Sequence, residues 1–211
     1  GSTIGRRYRL ISLIGEGGMA SVWCASDETL KRSVAIKLLY LRPARDPQAS
    51  VDQFLREARI AAAVQHRNVI HTVDFGTTDD GSPYMVMELL HGESLAARMA
   101  RTPPLNLEEL VQITELTLRG LAAVHEAGIV HRDIKPANIM VTPQGEPVLL
   151  DFGLARDQEN DGAALTLTGE IFGSPPYMSP EQVSPRGDRI DRRTDIYSLG
   201  AVLYECLTLR Q

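Results

Sequence analysis

The 211-residue sequence predicts an α+β fold made of two lobes. Up to about residue 88, β-branched and aromatic residues fill the apolar runs and glycine-containing turns separate them, which is typical of an antiparallel sheet. From about residue 106, apolar residues recur every three or four positions, which is typical of helices. We therefore predict an N-terminal lobe over residues 8–88 with one main helix and a mostly helical C-terminal lobe over residues 89–211. A hinge and a ligand cleft are expected at the link between the two lobes.

Three strands are predicted to open the N-terminal lobe. The runs YRLISLIGEGG, residues 8–18, and ASVWCASDE, residues 20–28, flank a glycine turn. The third run, SVAIKLLYL at residues 33–41, is rich in branched residues, which favour extended backbone.

A loop, a helix and two more strands complete this lobe. The segment LRPARDPQAS, residues 41–50, is predicted to be a loop because Pro43 and Pro47 interrupt regular structure. A helix is expected from Val51 to Val64, since apolar and small residues recur there at helical spacing. Two strands are then predicted on either side of the turn TDDGSP, residues 78–83.

The C-terminal lobe is predicted around two long helices. Asn106 followed by Glu109 resembles a capping box, and Gly128 suits the position just after the end of this first helix. The apolar residues expected along this helix are Leu110, Ile113, Leu116, Leu118, Leu121 and Val124. A second helix is expected to begin near Asp195 and to run through IYSLGAVLYECL.

Composition and charge restrict the function. With 43% hydrophobic and 23% charged residues, the chain is predicted to be an ordinary folded protein. Its 22 basic and 27 acidic side chains give a net charge of −5, which disfavours a nucleic-acid partner. Two well-separated cysteines, Cys24 and Cys206, indicate a reducing, cytoplasmic compartment. No apolar run is long enough to span a bilayer, so any membrane anchor of a longer parent protein would lie outside this sequence.

Two motifs in the N-terminal lobe are candidates for chemistry. The turn GEGGMASV, residues 15–22, lies between two predicted strands, where it serves either as a plain hairpin or as a phosphate-binding loop. Lys37 ends the apolar run VAIK, where an unpaired ammonium would be costly to desolvate. Glu57, on the predicted helix, is its candidate partner. The alternatives are a surface lysine at a strand edge and a solvated glutamate.

A third motif, HRDIKPAN at residues 131–138, sets Asp133 between two cations and places Asn138 five positions later. A solvated charged turn would account for the charges. It would not account for the asparagine, or for the apolar NIMV and the LLDFG that follow.

Taken together, these motifs resemble the eukaryotic-like protein kinase family. The glycine-rich loop, the lysine of VAIK, HRDIKPAN, DFG at residues 151–153 and SPE at residues 179–181 occur in the family's order along nearly the whole chain. Lys135, two residues after the aspartate, is similar to Ser/Thr kinases, and GMASV and DIKPANIM are most similar to bacterial signalling members. The resemblance implies a bilobal protein-kinase-like fold. It also implies transfer of the γ-phosphoryl group of ATP to Ser or Thr hydroxyls of protein substrates.

The resemblance implies roles for the polar residues of HRDIKPAN and DFG. Asp133 would orient and deprotonate the substrate hydroxyl, and Lys135 would neutralise charge on the γ-phosphate. Asn138 and Asp151 would hold Mg²⁺, or Mn²⁺ in its place, because such cations prefer oxygen ligands.

The resemblance also implies a nucleotide site in the N-terminal lobe. Lys37, held by Glu57, would bind the α- and β-phosphates. Backbone groups of Glu88 and Leu90 would meet the adenine, next to Met87 at the gatekeeper position. The remaining residues implied at this site form the phosphate-binding loop and an apolar roof: Ile14, Gly15, Glu16, Gly17, Gly18, Met19, Ala20, Val22 and Ala35.

The long polar segment after DFG is predicted to carry regulatory phosphosites. It contains LTLTGE, with Thr166 and Thr168 as the candidates. Arg132, beside the catalytic aspartate, and Arg156 would together pair with a phosphate on this segment. The alternative is a pair of ordinary loop threonines.

The sequence departs from the family pattern at three small residues. The third loop glycine is Ala20, which fits wherever φ is negative, so we expect altered nucleotide affinity with activity retained. The usual APE is SPE, a small-for-small change. In GSPPYMSP, which resembles the platform for a substrate Ser or Thr, Ser174 stands where the family usually has threonine.

Two other function classes remain as alternatives. The first is a pseudokinase, a binding or scaffold module with the fold but no chemistry; the presence of the complete polar set argues against it. The second is a small-molecule phosphotransferase of related fold. The long segment between DFG and SPE favours protein substrates instead.

The helix that begins near Asp195 is apolar on most sides, as expected of a helix buried all round. Kinases of this family continue with further helices, so the resemblance implies a C-terminally truncated catalytic domain whose Glu181 lacks its usual arginine partner. We expect the isolated chain to expose apolar surface. It should therefore be poorly soluble, self-associating or weakly active.

Overall fold

The computed structural model of the protein describes six stretches of the chain, residues 2–18, 20–40, 47–102, 104–151, 174–184 and 190–210, without the side chains of residues 47–50, 53 and 57. The chain divides into two compact units. The N-terminal unit comprises residues 1–65 and 70–90, and the C-terminal unit comprises residues 66–69 and 91–211. The predicted α+β class is confirmed, because the first unit is built on an antiparallel sheet and the second is mostly helical.

A six-stranded antiparallel sheet forms the N-terminal unit. Its strands are β1 (Thr3–Ile4), β2 (Tyr8–Glu16), β3 (Ala20–Asp27), β4 (Arg32–Leu39), β5 (Thr72–Thr77) and β6 (Pro83–Glu88). They pair in the order β1-β2-β3-β4-β6-β5. The register of β3 on β4 is unbroken, whereas β2 shifts its register on β3 between Leu13 and Gly15. All five runs that the sequence predicts as strands are strands, and the short β1 is an addition.

The core of this unit lies against one face of the sheet. Its buried side chains are Ile4, Tyr8, Ala25, Val34, Ile36, Tyr84 and Val86. Branched and aromatic side chains suit a pleated surface that is covered on one side. On β4 and β6 the core residues are every second residue (Val34 and Ile36, Tyr84 and Val86), so they lie on the same face of the sheet.

An ion pair fastens the beginning of β2 to the end of β3. The Arg7 guanidinium donates two hydrogen bonds to the Asp27 carboxylate, at 3.0 and 2.7 Å, and the Asp27 side chain is fully buried. The Arg7 guanidinium, assisted by the N–H groups of Leu30 and Thr29, holds the pKa of Asp27 well below its usual range despite burial. Asp27 is therefore a structural carboxylate that remains ionised.

Helix α1 (Pro47–Ala62) begins at Pro47 rather than at Val51. The prediction of a loop through residue 50 is therefore wrong for residues 47–50. Proline fits the first position of a helix, because its fixed φ suits the helix and its missing N–H has no helical partner there. The residues Phe54, Ala58 and Ala61, which define the predicted face, are buried.

The C-terminal unit contains four helices and a small sheet within the described residues. The helices are α2 (Leu95–Met99), α3 (Leu107–Glu126), α4 (Pro180–Val183) and α5 (Arg193–Thr208). The antiparallel sheet consists of β7 (Glu93–Ser94), β8 (Ile139–Val141) and β9 (Pro147–Leu149). Strands of two or three residues are too short to show a sequence period, and none of these three is predicted from the sequence.

Helix α3 forms as its end signals predict. The side chain of Asn106 accepts from the Glu109 N–H at 2.9 Å, while the Glu109 carboxylate accepts from the Asn106 N–H at 3.1 Å. Gly128 follows the helix with φ of 78°, a left-handed value that favours glycine. Leu118 is 41% exposed, so this residue of the predicted apolar set lies off the buried stripe.

The four residues 66–69 belong to the C-terminal unit, although the stretches before and after them belong to the other one. Asn68 donates from its side chain to the Pro147 carbonyl at 2.7 Å and accepts the Leu149 N–H on its own carbonyl at 2.9 Å. Arg67 pairs with Glu146. The segment therefore packs on β9 as part of the C-terminal unit.

One side of α5 is apolar and exposed. Ile196, Tyr197, Tyr204 and Leu207 are each at least half exposed, whereas Leu199, Val202 and Cys206 are buried. The exposure agrees with the expected apolar surface on this helix, and self-association remains a prediction. No helix within the described ranges combines the length and apolar character needed to cross a lipid bilayer.

Two helix glycines should respond oppositely to replacement by alanine. A Cβ at Gly120 of α3 would lie 2.7 Å from the Asn68 carbonyl oxygen, whereas a Cβ at Gly200 of α5 meets no atom within 4 Å. We expect Gly120→Ala to lower the free energy of unfolding by about 1–3 kcal/mol, because backbone atoms must shift. Gly200→Ala is the matched control and should raise it by about 0.5–1 kcal/mol. Urea unfolding of both variants measures the difference, and equal effects would contradict the close approach.

Candidate active site

Three of the predicted site residues come together between α3 and β8. The Asp133 carboxylate lies 2.9 Å from the Lys135 ammonium. Asn138, at the end of the 3₁₀ turn Pro136–Asn138, donates from its side-chain nitrogen to the Asp133 carboxylate at 2.9 Å and to the Asp133 carbonyl at 2.8 Å. These contacts fix one oxygen of Asp133. The carboxylate is partly exposed, so a substrate hydroxyl can reach it.

Lys135 also contacts the segment that precedes SPE. Its ammonium donates to the Ser174 hydroxyl at 3.0 Å while it pairs with Asp133. The Ser174 hydroxyl, at the position where threonine is usual in the family, accepts this hydrogen bond. The lysine connects the aspartate to the first described residue after the gap at 152–173.

Asp195 is a buried aspartate that holds the backbone of the catalytic loop at His131 and Arg132. The sequence does not predict it as a site residue. Asp195, in the first turn of α5, accepts from the backbone N–H of His131 at 2.8 Å and of Arg132 at 2.7 Å. The ring Nε2 of His125 lies 2.7 Å from the same carboxylate. The sequence does carry a signal for this role, because TDIYSLGAVL places a carboxylate in the first turn of an apolar helix. Burying a carboxylate without hydrogen-bond partners is costly.

His131 is a structural residue. It is fully buried, and burial lowers the pKa of its imidazole, so the ring is neutral. Its Nε2 lies 2.8 Å from the Leu150 carbonyl, and its Nδ1 is 3.4 Å from the Asp133 N–H. The Nε2–H tautomer satisfies both contacts, since Nε2 then donates and Nδ1 accepts.

Asn138 and Asp151 have the chemistry of a magnesium site. Because the side-chain nitrogen of Asn138 donates to Asp133, its amide oxygen is the group directed elsewhere. The Leu150 N–H donates to the Asn138 carbonyl at 2.9 Å, which places the chain next to Asn138 just before Asp151. Asp151 has φ of 52°, a left-handed value that aspartate tolerates better than most residues. In the described part of the chain, no group of three or more His, Cys, Asp or Glu side chains forms a metal centre, so a cation here would depend on further oxygen donors.

The glycine-rich turn of the N-terminal unit is a hairpin between β2 and β3. The Gly17 N–H donates to the Ala20 carbonyl at 2.9 Å and closes the turn. A Cβ at Gly15 or Gly18 would meet no protein atom within 4 Å, and none of these glycines has a positive φ. Glycine is therefore not required by the backbone of the turn. What it offers is close access to the backbone N–H groups, as phosphate binding needs.

Five of the predicted nucleotide residues share one face of the N-terminal sheet. Val22 pairs with Gly15 on β2 and with Lys37 on β4, and Ala35 pairs with Met87 on β6. Directly paired residues, and residues two apart on one strand, point to the same side of a sheet. The core residues of β4 and β6 point to the other side. This face therefore joins the glycine hairpin, the lysine and the gatekeeper-like methionine.

Several predicted site residues lie outside what the structure describes. These are Met19, the side chain of Glu57 and, after Asp151, residues 152–173 with Arg156, Thr166 and Thr168. The pairing of Lys37 with Glu57 and the phosphosites remain predictions.

Glu181 of the SPE motif has a partner that the sequence did not suggest. The Thr194 hydroxyl donates to its carboxylate at 2.6 Å and also lies 3.2 Å from the Ser179 hydroxyl. The hydrogen bond from Thr194 lowers the pKa of Glu181. Glu181, which is expected to lack its usual arginine partner, thus accepts a hydrogen bond from a hydroxyl on α5.

An aspartate in contact with a lysine and an asparagine, followed by a second carboxylate, is the kind of polar set that the protein kinase class uses for phosphoryl transfer. The chain belongs to the protein kinase domain family, whose model matches residues 8–211. The predicted family, a protein kinase domain similar to bacterial members, and the predicted kinase-like fold are confirmed.

Its relatives include bacterial serine/threonine-protein kinases. The chain is 42% identical over 214 residues to serine/threonine-protein kinase pkn3 of Myxococcus xanthus, covering 99% of this chain and 39% of that protein. It is 40% identical over 212 residues to PknA of Mycobacterium tuberculosis, covering 99% of this chain and 48% of that protein. The chain thus spans less than half the length of these two curated relatives.

Two solved structures share its fold. The PpkA-294 apo form matches with a TM-score of 0.79 and 29% identity, over 96% of this chain and 75% of that one. The PknI kinase domain of Mycobacterium tuberculosis matches with a TM-score of 0.76 and 27% identity, over 98% and 74%.

Proposed function

We propose that this chain transfers the γ-phosphoryl group of ATP, with Mg²⁺, to serine or threonine hydroxyls of protein substrates. The contact set of Asp133 with Lys135 and Asn138 carries the proposal, because it holds one carboxylate between a cation and an amide donor. Phosphoryl transfer needs positioning and charge neutralisation more than covalent chemistry from the protein. The names of the relatives support the choice of Ser/Thr substrates.

Asp133 orients the acceptor hydroxyl and takes its proton. The oxygen that Asn138 and Lys135 hold is fixed, so the carboxylate presents its remaining lone pairs in one direction. Lys135 lies between this carboxylate and Ser174, where it stabilises negative charge on the transferred group.

Asn138 and Asp151 hold the metal through one amide and one carboxylate oxygen. Mg²⁺, or Mn²⁺ in its place, neutralises phosphate charge when it is bound with ATP. The Asp133–Asn138 hydrogen bond orients the Asn138 amide, and the Leu150–Asn138 backbone bond holds the chain just before Asp151 next to Asn138.

In the N-terminal unit, the face with Val22, Ala35 and Met87 forms the apolar contact for adenine, and Lys37 on the same face binds the α- and β-phosphates. The Glu88 N–H already donates to the His71 carbonyl at 3.1 Å. The adenine contact at Glu88 is therefore its carbonyl group, with Leu90 supplying the next backbone groups.

The direct test is incubation of the protein with γ-labelled ATP, Mg²⁺ and a generic Ser/Thr protein substrate. Label on serine or threonine supports the proposal. Tight nucleotide binding with no transfer, at any Mg²⁺ or Mn²⁺ concentration, would support the pseudokinase alternative instead. Label on a small metabolite but on no protein would indicate the small-molecule phosphotransferase.

Autophosphorylation is expected at Thr166 or Thr168. A phosphate there would add negative charge for Arg132 and Arg156 to bind, and this pairing would order the segment. Mass spectrometry after incubation with ATP should locate the phosphate, and the Asp133→Asn protein, treated identically, should carry none. An active enzyme with both threonines unmodified would contradict the regulatory role.

The proposed reaction implies the partners, and the cysteines favour a cytoplasmic compartment. Protein substrates with Ser or Thr acceptors and ATP are the proposed partners, and the acidic net charge of −5 argues against nucleic acid. Cys24 and Cys206 are free thiols, as a reducing cytoplasm favours, and burial raises the pKa of Cys206 to about 11.

A further inference from the structure

Gln182, the residue after SPE, is buried and makes hydrogen bonds in two directions. It is 7% exposed and lies on α4. Its Oε1 accepts from the Ser179 N–H at 3.1 Å, which caps the helix, and its Nε2 donates to the Arg132 carbonyl at 2.9 Å. The two contacts fix the orientation of the amide, since one partner is a donor and the other an acceptor.

The carbonyl that Gln182 binds belongs to an unusual peptide. Arg132 has φ of 64°, in the left-handed region that side-chain-bearing residues avoid. Such a conformation persists only where its surroundings hold it. The Arg132 N–H is held by Asp195 at 2.7 Å and its carbonyl by Gln182, so both ends of the residue are fixed.

The peptide group that contains the Arg132 carbonyl also contains the N–H of Asp133, the proposed catalytic aspartate. The Arg132 carbonyl and the Asp133 N–H lie in one rigid plane, so holding the carbonyl also orients the Cα of Asp133. A second contact of this plane is longer, 3.4 Å from the Asp133 N–H to His131 Nδ1. Of these two hydrogen bonds to the peptide plane that precedes the Asp133 Cα, Gln182 supplies the shorter.

We propose that Gln182 is a positioning residue for Asp133, acting through the Arg132 carbonyl. The proposal rests on the proposed kinase function and deepens it, because it connects the SPE segment to the catalytic loop by one side-chain amide. The partners are 50 residues apart in sequence. A movement of α4 would therefore change the orientation of the Asp133 carboxylate through the Arg132 carbonyl.

The variant Gln182→Glu tests this through its pH profile. As a carboxylate it keeps an acceptor for the Ser179 N–H but turns an oxygen toward the Arg132 carbonyl, so kcat should fall about tenfold or more at pH 8. When protonated, the glutamic acid donates to that carbonyl and restores the contact. Burial favours the neutral acid, so the ratio of variant to wild-type kcat should rise as the pH falls from about 8 to about 6.

Other charged groups on the elements around this position are the same in both proteins. They are Glu181 on α4, Asp195 on α5, and Arg132 and Asp133 on the catalytic loop. Taking the ratio of variant to wild type at each pH removes their common contribution. The KM for ATP should not change, because a substitution on α4 alters none of the residues proposed for nucleotide binding in the N-terminal unit.

Two further variants separate positioning from a purely structural role. Gln182→Met removes the donor at all pH values and should lower kcat without any recovery in acid. Thr194→Val removes buried hydrogen bonds to Ser179 and Glu181 in the same cluster without touching the Arg132 carbonyl. It should lower the melting temperature and leave the kcat ratio independent of pH.

The outcomes distinguish this inference from the proposed function. A wild-type protein that phosphorylates its substrate, combined with a flat pH ratio for Gln182→Glu or full kcat for Gln182→Met, overturns the positioning role alone. A wild-type protein without transfer overturns the kinase function and the positioning role with it. If Gln182→Glu fails to fold, kcat of the folded Gln182→Met protein decides.

Discussion

Replacing Asp133 by asparagine is expected to lower kcat by about 10²- to 10⁴-fold, the range that a general base contributes. The amide has nearly the size of the carboxylate but cannot take the proton of the substrate hydroxyl. The hydrogen bond from Asn138 can still be made to the new amide oxygen, and the backbone contact to the Asp133 carbonyl does not change. The fold should therefore persist, as circular dichroism and the melting temperature will show. Steady-state assays with a Ser/Thr substrate measure the loss.

Asp151→Asn distinguishes the base from the metal ligand. It should also remove nearly all transfer, but with a weaker Mg²⁺-dependent nucleotide affinity, because a ligand charge is lost. The nucleotide affinity of Asp133→Asn should change far less. Glu126→Gln, an exposed acid-to-amide change at the end of α3, is the matched control and should leave both quantities unchanged. An Asp133→Asn protein that retained most of the wild-type rate would show that the base is misassigned.

Replacing Asp195 by asparagine should cost both stability and activity. The carboxylate is fully buried and accepts from the N–H groups of His131 and Arg132, with His125 on the same side chain. An asparagine accepts through one oxygen and turns its NH₂ toward the other donors. Each buried donor left without a partner costs about 1–3 kcal/mol, so we expect the free energy of unfolding to fall by several kcal/mol. Because the same N–H groups orient the catalytic loop, kcat should fall as well.

Asp191→Asn provides the comparison for this effect. Asp191 precedes α5 and pairs with Arg193 at 2.9 Å, but its side chain is 39% exposed. Exposed pairs contribute about 0–1 kcal/mol, so its loss should be small. Urea unfolding and kcat are measured on both variants. Equal losses in the two proteins would mean that the Asp195 hydrogen bonds do not hold the loop.

The parts of the fold that the sequence predicts are those with local signals. The strands β2 to β6 lie in runs that are rich in branched and aromatic residues, and α3 begins with a reciprocal cap between Asn106 and Glu109. The predicted start of α1 at Val51 lies four residues after its observed start at Pro47, because proline is predicted to break a helix although it also suits the first position of one. The strands β7 to β9 stay hidden because they are too short for any period.

The site divides in the same way. Asp133, Lys135 and Asn138 lie within eight letters of sequence, and the structure brings them into contact. Asp195 and Gln182 act on Arg132 from 63 and 50 residues away, so no local spacing reveals them. Their signal is chemical: a carboxylate and an amide buried among apolar neighbours must find backbone partners somewhere.

The placement of residues 66–69 in the C-terminal unit restricts how the two units can be recombined between related genes. The chain passes between its two units at three points, after residues 65, 69 and 90, so neither unit is one continuous piece of the gene. A single recombination junction at residue 90 would join a C-terminal unit to a foreign four-residue segment. That segment would have to supply a side chain that reaches the Pro147 carbonyl and an acceptor for the Leu149 N–H. We therefore expect recombination between related genes to give a folded protein only where residues 66–69 fit β9. The two units are thus expected to evolve together, although each is compact by itself.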